Sequence, residues 1–132
     1  MSSTENASMS RGEMAAFISR LVVKSLHDYT GRGPTKARTY LNENVVTVIL
    51  RDTLTAGERS LVQGGRGQMV LDIRFAFQQT MSEDMRRGVQ EITGRKVDAF
   101  MSANHLDPDV AVECFVLDGV PSVRLPEEEP VE

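Results

Sequence analysis

The sequence predicts an α+β domain of two layers, in which a four-stranded, largely antiparallel sheet made of two hairpins is packed by an N-terminal helix, a short helix and a long helix. Three observations predict it. Apolar residues recur at spacings of three and four in two long stretches. Runs of β-branched residues pair twice across turn-forming residues. The element order α-ββ-α-α-ββ suits helices gathered on one face of an antiparallel sheet. With 132 residues, 40% of them hydrophobic and 26% charged, the composition is that of one soluble globular domain.

Residues 1–9, rich in Ser, Thr, Asn and Glu, are expected to be disordered. Ser10-Arg-Gly-Glu13 is a capping box, in which hydroxyl and carboxylate each accept a backbone N–H at a helix start. Met14, Phe17, Ile18, Leu21, Val22 and Ser25 then trace one helical face, ending near Tyr29 before Gly31. Gly31-Arg-Gly-Pro34 cannot continue the helix, because Pro34 drives Gly33 out of the α region. Ala37–Leu41 and Val45–Arg51, separated by Asn42-Glu-Asn44, read as a hairpin.

Thr55-Ala-Gly-Glu58 repeats the capping box and opens a short helix through about Gln63. Gly64, Gly65 and Gly67 read as a hinge before a long helix over Gln68–Thr93. Met69, Ile73, Phe77, Met81, Met85, Val89 and Ile92 form its stripe, and Gly94 stops it. Val97–His105 and Val110–Leu117 make the second hairpin across Leu106-Asp-Pro-Asp109. Alternation puts Val97, Ala99, Met101 and Ala103 on one side of the first of these strands, and Val110, Val112, Cys114 and Val116 on one side of the second. The domain is therefore bounded at residues 10–118, with 119–132 an acidic Pro/Glu tail.

Charge and apolar runs exclude several function classes. The net charge is −4, but Glu127, Glu128, Glu129 and Glu132 account for it, leaving 15 acids against 15 bases in residues 1–126. A pI near 5.2 argues against bulk nucleic-acid binding. The longest apolar run, Val45–Leu50, is far below the roughly 20 residues of a membrane span. A single cysteine, Cys114, and a polar N-terminus without a signal-peptide pattern point to a reducing cytoplasm.

Chemistry-bearing residues are sparse. Gly31, Arg32, Gly33, Pro34, Lys36 and Arg38 form the most unusual stretch: glycines let backbone N–H groups approach a ligand, and the bases can neutralise a phosphate or carboxylate. The spacing is not that of a phosphate-binding P-loop, and taken alone the composition favours a tight helix-to-strand connection with solvated bases. His105, Asp107 and Asp109 share one turn and are read as turn chemistry rather than a metal site. Cys114 is expected to be buried and inert, and His27 to sit at a helix C-terminus, where its charge suits the dipole. No nucleophile-base set, Cys-x-x-Cys site or carboxylate pair emerges, so no catalysis, metal or cofactor is expected. A helix of about 25 residues spans about 37 Å, longer than a four-stranded sheet needs as cover, which predicts packing against a second copy as a homodimer.

Tyr29-Thr-Gly-Arg-Gly-Pro34, the hairpin strand Val45–Leu50, Leu54-Thr55 and Glu91-Ile-Thr-Gly94 followed by Val97 together resemble the bacterial MpsC family, over roughly residues 10–118. The family is named after an Na-translocating membrane-potential-generating system. The family name implies association with a membrane system of cation or inorganic-carbon transport; with no catalytic set in the sequence, the expectation is a non-enzymatic, cytoplasmic accessory or regulatory protein acting by protein contacts, with membrane transport subunits as partners. The loop at 31–38 is then the expected contact surface. The alternative is a sensor that binds a phosphate ligand, nucleotide or RNA through the same loop.

Overall fold

The computed structural model describes residues 9–32 and 36–125. Arg11–Thr30 forms α1, Lys36–Asn42 β1, Val45–Arg51 β2, Ala56–Gln63 α2, Gly67–Thr93 α3, Val97–His105 β3 and Val110–Leu117 β4. The strands make one antiparallel sheet in the order β1-β2-β4-β3, so the two hairpins join through β2 and β4. The expected α+β class and four-stranded sheet are what the chain forms.

Both capping boxes are made. Ser10 Oγ accepts the Glu13 N–H at 3.1 Å and Glu13 accepts the Ser10 N–H at 3.1 Å; Thr55 and Glu58 repeat the exchange at 3.1 and 2.9 Å. Gly31 and Gly94 close α1 and α3 in the left-handed region, with φ of 76° and 69°, a conformation glycine adopts without steric cost.

The core lies between the sheet and the two long helices. Met14, Ile18, Val22 and Leu26 from α1 and Met81, Met85 and Val89 from α3 bury against Val46, Val48, Leu50, Phe115 and Leu117. The helices approach closely where Gly88 of α3 meets Leu21 of α1: a Cβ at Gly88 would lie 2.6 Å from both Leu21 methyl groups. Ser19 Oγ and Thr39 Oγ1, 2.7 Å apart, tie α1 to β1. The Phe100 and Phe115 rings sit 4.9 Å apart beneath α3.

One side-chain placement differs from the alternation read in the sequence, and one expected burial is not found. Val97 is buried on the helix side, because the register slips between Val97 and Ala99 and a bulge reverses the facing of everything after it. Cys114 is only half-buried and lies on the side away from the helices. Val112 and Val116 share that side, while Ala111, Glu113, Phe115 and Leu117 point into the core. Strand β4 is apolar on both faces, so alternation alone does not say which face is covered.

Beyond Leu117 the chain does not leave the domain at once. Pro121 is buried, Val123 packs against the core, and Arg124 donates its N–H to the Met9 carbonyl at 2.6 Å and its guanidinium to Glu13 at 2.9 Å. Of the residues 1–9 expected to be disordered, Met9 packs against the core and is held by Arg124, whereas 1–8 lie outside the described residues, as does the acidic run 126–132.

Candidate functional site

The helices cover one face of the sheet and leave the other open. On the open face the register lines up four rows: Lys36-Arg51-Val110-His105, Arg38-Ile49-Val112-Ala103, Tyr40-Thr47-Cys114-Met101 and Asn42-Val45-Val116-Ala99. The two middle rows and the last are largely apolar, and Tyr40 and Met101 are 49% and 53% exposed. The first row and Arg38 are basic.

At the basic end Lys36, Ala37, Arg38, Tyr40, Ile49 and Arg51 line a hollow of about 510 Å³. The Arg38 guanidinium stacks 5.5 Å from the Tyr40 ring centroid, which spreads its plane along the sheet. The ion pairs among the described residues use none of Lys36, Arg38 and Arg51. Three cations around one apolar-floored hollow attract a carboxylate or phosphate by charge and an aromatic or aliphatic group by area.

Arg32 serves a different purpose. Its guanidinium donates to the Asp52 and Leu54 carbonyls at 2.9 and 2.6 Å and to the Asp52 carboxylate at 3.0 Å. It therefore anchors the chain after α1 to the segment after β2. Asp52, at φ 56°, receives Arg59 as well, at 3.1 Å. Gly31 is the C-cap of α1, and Gly33 and Pro34 lie outside the described residues. Of the six loop residues named from sequence, the structure brings Lys36 and Arg38 together on the open face. Arg51, their neighbour in the basic row, was missed; the signal was its place at the end of a strand whose pairing puts it opposite Lys36.

Beneath this end a buried ionic network holds α2 and α3 in place. Arg74, its side chain 4% exposed, donates to both Glu58 oxygens at 2.6 and 2.7 Å and to the Thr53 carbonyl at 2.7 Å. Burial pushes the Glu58 carboxyl up, but the Arg74 guanidinium and the Thr55 N–H outweigh it and hold the group below the ordinary carboxylate range. Asp109 accepts from Thr53 Oγ1 and the Leu54 N–H, both at 2.9 Å, while His105 Nδ1 lies 2.8 Å from the Pro108 carbonyl. Among the described residues no three His, Cys, Asp or Glu side chains are grouped so as to hold a metal ion. His27 is exposed at the end of α1, its Nδ1 4.0 Å from Asp28.

One buried acid stands apart. Glu113 is 1% exposed on the inner face of β4, and among the described residues neither carboxyl oxygen has a hydrogen-bond partner; nor does the hydroxyl of Ser102, its cross-strand neighbour. Burial raises its pKa to about 7, against weaker opposing pulls from the Ser102 hydroxyl and the Arg74 charge. The cleft it lines with Thr30, Arg74, Gln78 and Asn104 is too narrow to admit water.

The fold and site together define a two-layer α+β protein with one open, amphipathic sheet face. The chain belongs to the family described as Na+-translocating membrane potential-generating system (MpsC), whose family model matches residues 10–119. No curated protein and no solved structure matches it. No helix among the described residues is long and apolar enough to cross a membrane.

Proposed function

We propose that the protein is a non-enzymatic accessory component of the membrane-potential-generating system its family is named for, working by protein contacts made through the open face of the sheet. The observation that supports this most directly is that face itself: three strands' width of apolar side chains ending in Lys36, Arg38 and Arg51. A sheet face of this kind is a contact surface, since large uncovered apolar patches rimmed by charge mark interaction sites. Cytoplasmic placement follows as part of the same reading, with the protein peripheral to its membrane partner.

A cross-linked capture of the tagged protein from its native cells, comparing wild type with Lys36→Glu/Arg38→Glu/Arg51→Glu, tests it. Membrane transport subunits recovered with wild type and lost with the variant are the expected result; equal recovery removes the face from the contact. The hollow at the basic end favours a second reading, a sensor for a phosphate-bearing ligand. Binding of phosphate or a nucleotide dominated by these cations weakens steeply with salt, whereas an apolar protein interface does not. Calorimetry with inorganic phosphate and a nucleotide panel at two salt concentrations separates the two.

A further inference from the structure

We infer that the occupant of the open face is a second copy of this chain, seated face to face with its strands reversed. The inference rests on the reading of that face as a contact surface and goes beyond the proposed function: in the free protein a second copy covers the face, and membrane subunits bind there only by displacing it. Ile49, Val112, Cys114, Val116, Tyr40 and Met101 all lie on the side that neither helix reaches. Both central strands, β2 and β4, are therefore apolar on both faces, the pattern of strands covered on both sides.

Charge decides the orientation. Lys36, Arg38 and Arg51 gather at one end of the strands, together with Asp52, which pairs with Arg32 and Arg59, Asp109, which accepts from Thr53 and Leu54, and Asp107 in the β3–β4 turn; the opposite end carries Glu43 in the β1–β2 turn, Asp98 at the start of β3 and Asp118, which accepts the Lys96 N–H, after β4. Of the bases near that acidic end, Arg95 is turned onto the Val120 carbonyl at 3.1 Å, and Lys96 precedes β3. A two-fold axis along the strands would set the Lys36–Arg51 end of each copy over the same end of the other, β1 above β3 and β2 above β4. A two-fold axis across the strands instead sets the basic end of each copy over the acidic end of the other, with every strand above its own mate. That contact is isologous, and the sheets pack aligned, as in β-sandwiches.

The area suffices. Four strands of about seven residues present roughly 19 by 24 Å, so two copies bury on the order of 1,000 Å², the size at which specific interfaces begin. With sheets about 10 Å apart, the two Cys114 thiols lie on mated strands near the axis, within reach of a cross-linker about 10 Å long.

Analytical ultracentrifugation of the full chain tests the inference, with circular dichroism as the folding control. Wild type is expected at twice the 14.6 kDa chain mass, with Cys114 cross-linking to its mate, and Val112→Glu at the single mass with unchanged helix content. Lys36→Glu/Arg51→Glu is expected to weaken the dimer at least tenfold, and adding Glu43→Lys/Asp98→Lys to restore it, so the charge pairing is tested even where Val112→Glu fails to fold. A monomer at 100-fold above micromolar concentration overturns the inference, as does a dimer that survives both face variants and breaks with Phe75→Glu on α3. A monomer whose open face still captures transport subunits sinks the inference and leaves the proposed function standing. A dimer through this face with no such capture does the reverse.

Discussion

Glu113 carries a cost that pH controls. Its carboxyl ionises near 4.5 in an unfolded chain and at about 7 in the folded one, so between those values the folded state holds the proton more tightly. The proton's contribution to stability is fully present below 4.5 and is lost as pH rises toward 7, a change of about 3 kcal/mol. Urea denaturation at pH 5 and pH 8 should show Glu113→Gln gaining on wild type by that order at the higher pH; a constant difference would mean the folded-state pKa is not raised. Arg74 presents the opposite case, a buried charge that is paired. Arg74→Met leaves Glu58 charged and buried without its partner, and should cost about 3 kcal/mol in the same assay, whereas Arg74→Met/Glu58→Met should recover much of the loss. Neither role was legible beforehand, because a lone Glu in a strand and a lone Arg in a helix show nothing of a partner across the sheet or 16 residues away.

Among the elements, helices α1 and α3 meet through Gly88, and the packing there is set by one missing side chain. Gly88→Val should destabilise by about 2 kcal/mol, since the Leu21 methyls must shift to make room and carry the helix contact with them. If that close approach is the cause, Leu21→Ala/Gly88→Val will cost less than the sum of the two single changes in chemical denaturation. Local signals made much of this level readable: the capping boxes at Ser10 and Thr55 and the glycine stops at Gly31 and Gly94 need only three or four residues to declare themselves. Sheet facing was not readable to the same degree. In β4 both alternating sets are apolar, and the bulge at Val97 reverses the count in β3, so the side that holds Cys114, expected to be buried, is the open face. The basic site was half visible for a related reason. Lys36 and Arg38 sit in the stretch that composition singles out, but Arg32 is spent on Asp52 and Leu54, and Arg51 joins the site only through strand pairing.

For the whole molecule, the question is how one layer of helices and one sheet keep a second apolar face out of water. The overhanging half of α3 shows Met69, Ile73 and Phe75 to solvent, interrupted by Asp72, Gln68 and Gln79 on the same exposed turns. The open sheet face has no carboxylate in its two middle rows. Association through it links folding to concentration: a native dimer that unfolds to single chains gains about 1.4 kcal/mol of dimer for every tenfold rise in protein. For a chain of this size that is a rise in Tm of a few degrees per decade, read by calorimetry between micromolar and hundred-micromolar protein. Val112→Glu should flatten the dependence, because it places a carboxylate in the middle of the buried patch, while Phe75→Glu on the overhang should leave it intact. A wild-type Tm that ignores concentration across that range would mean the face stands open in the free protein and is closed only by a partner of a different kind.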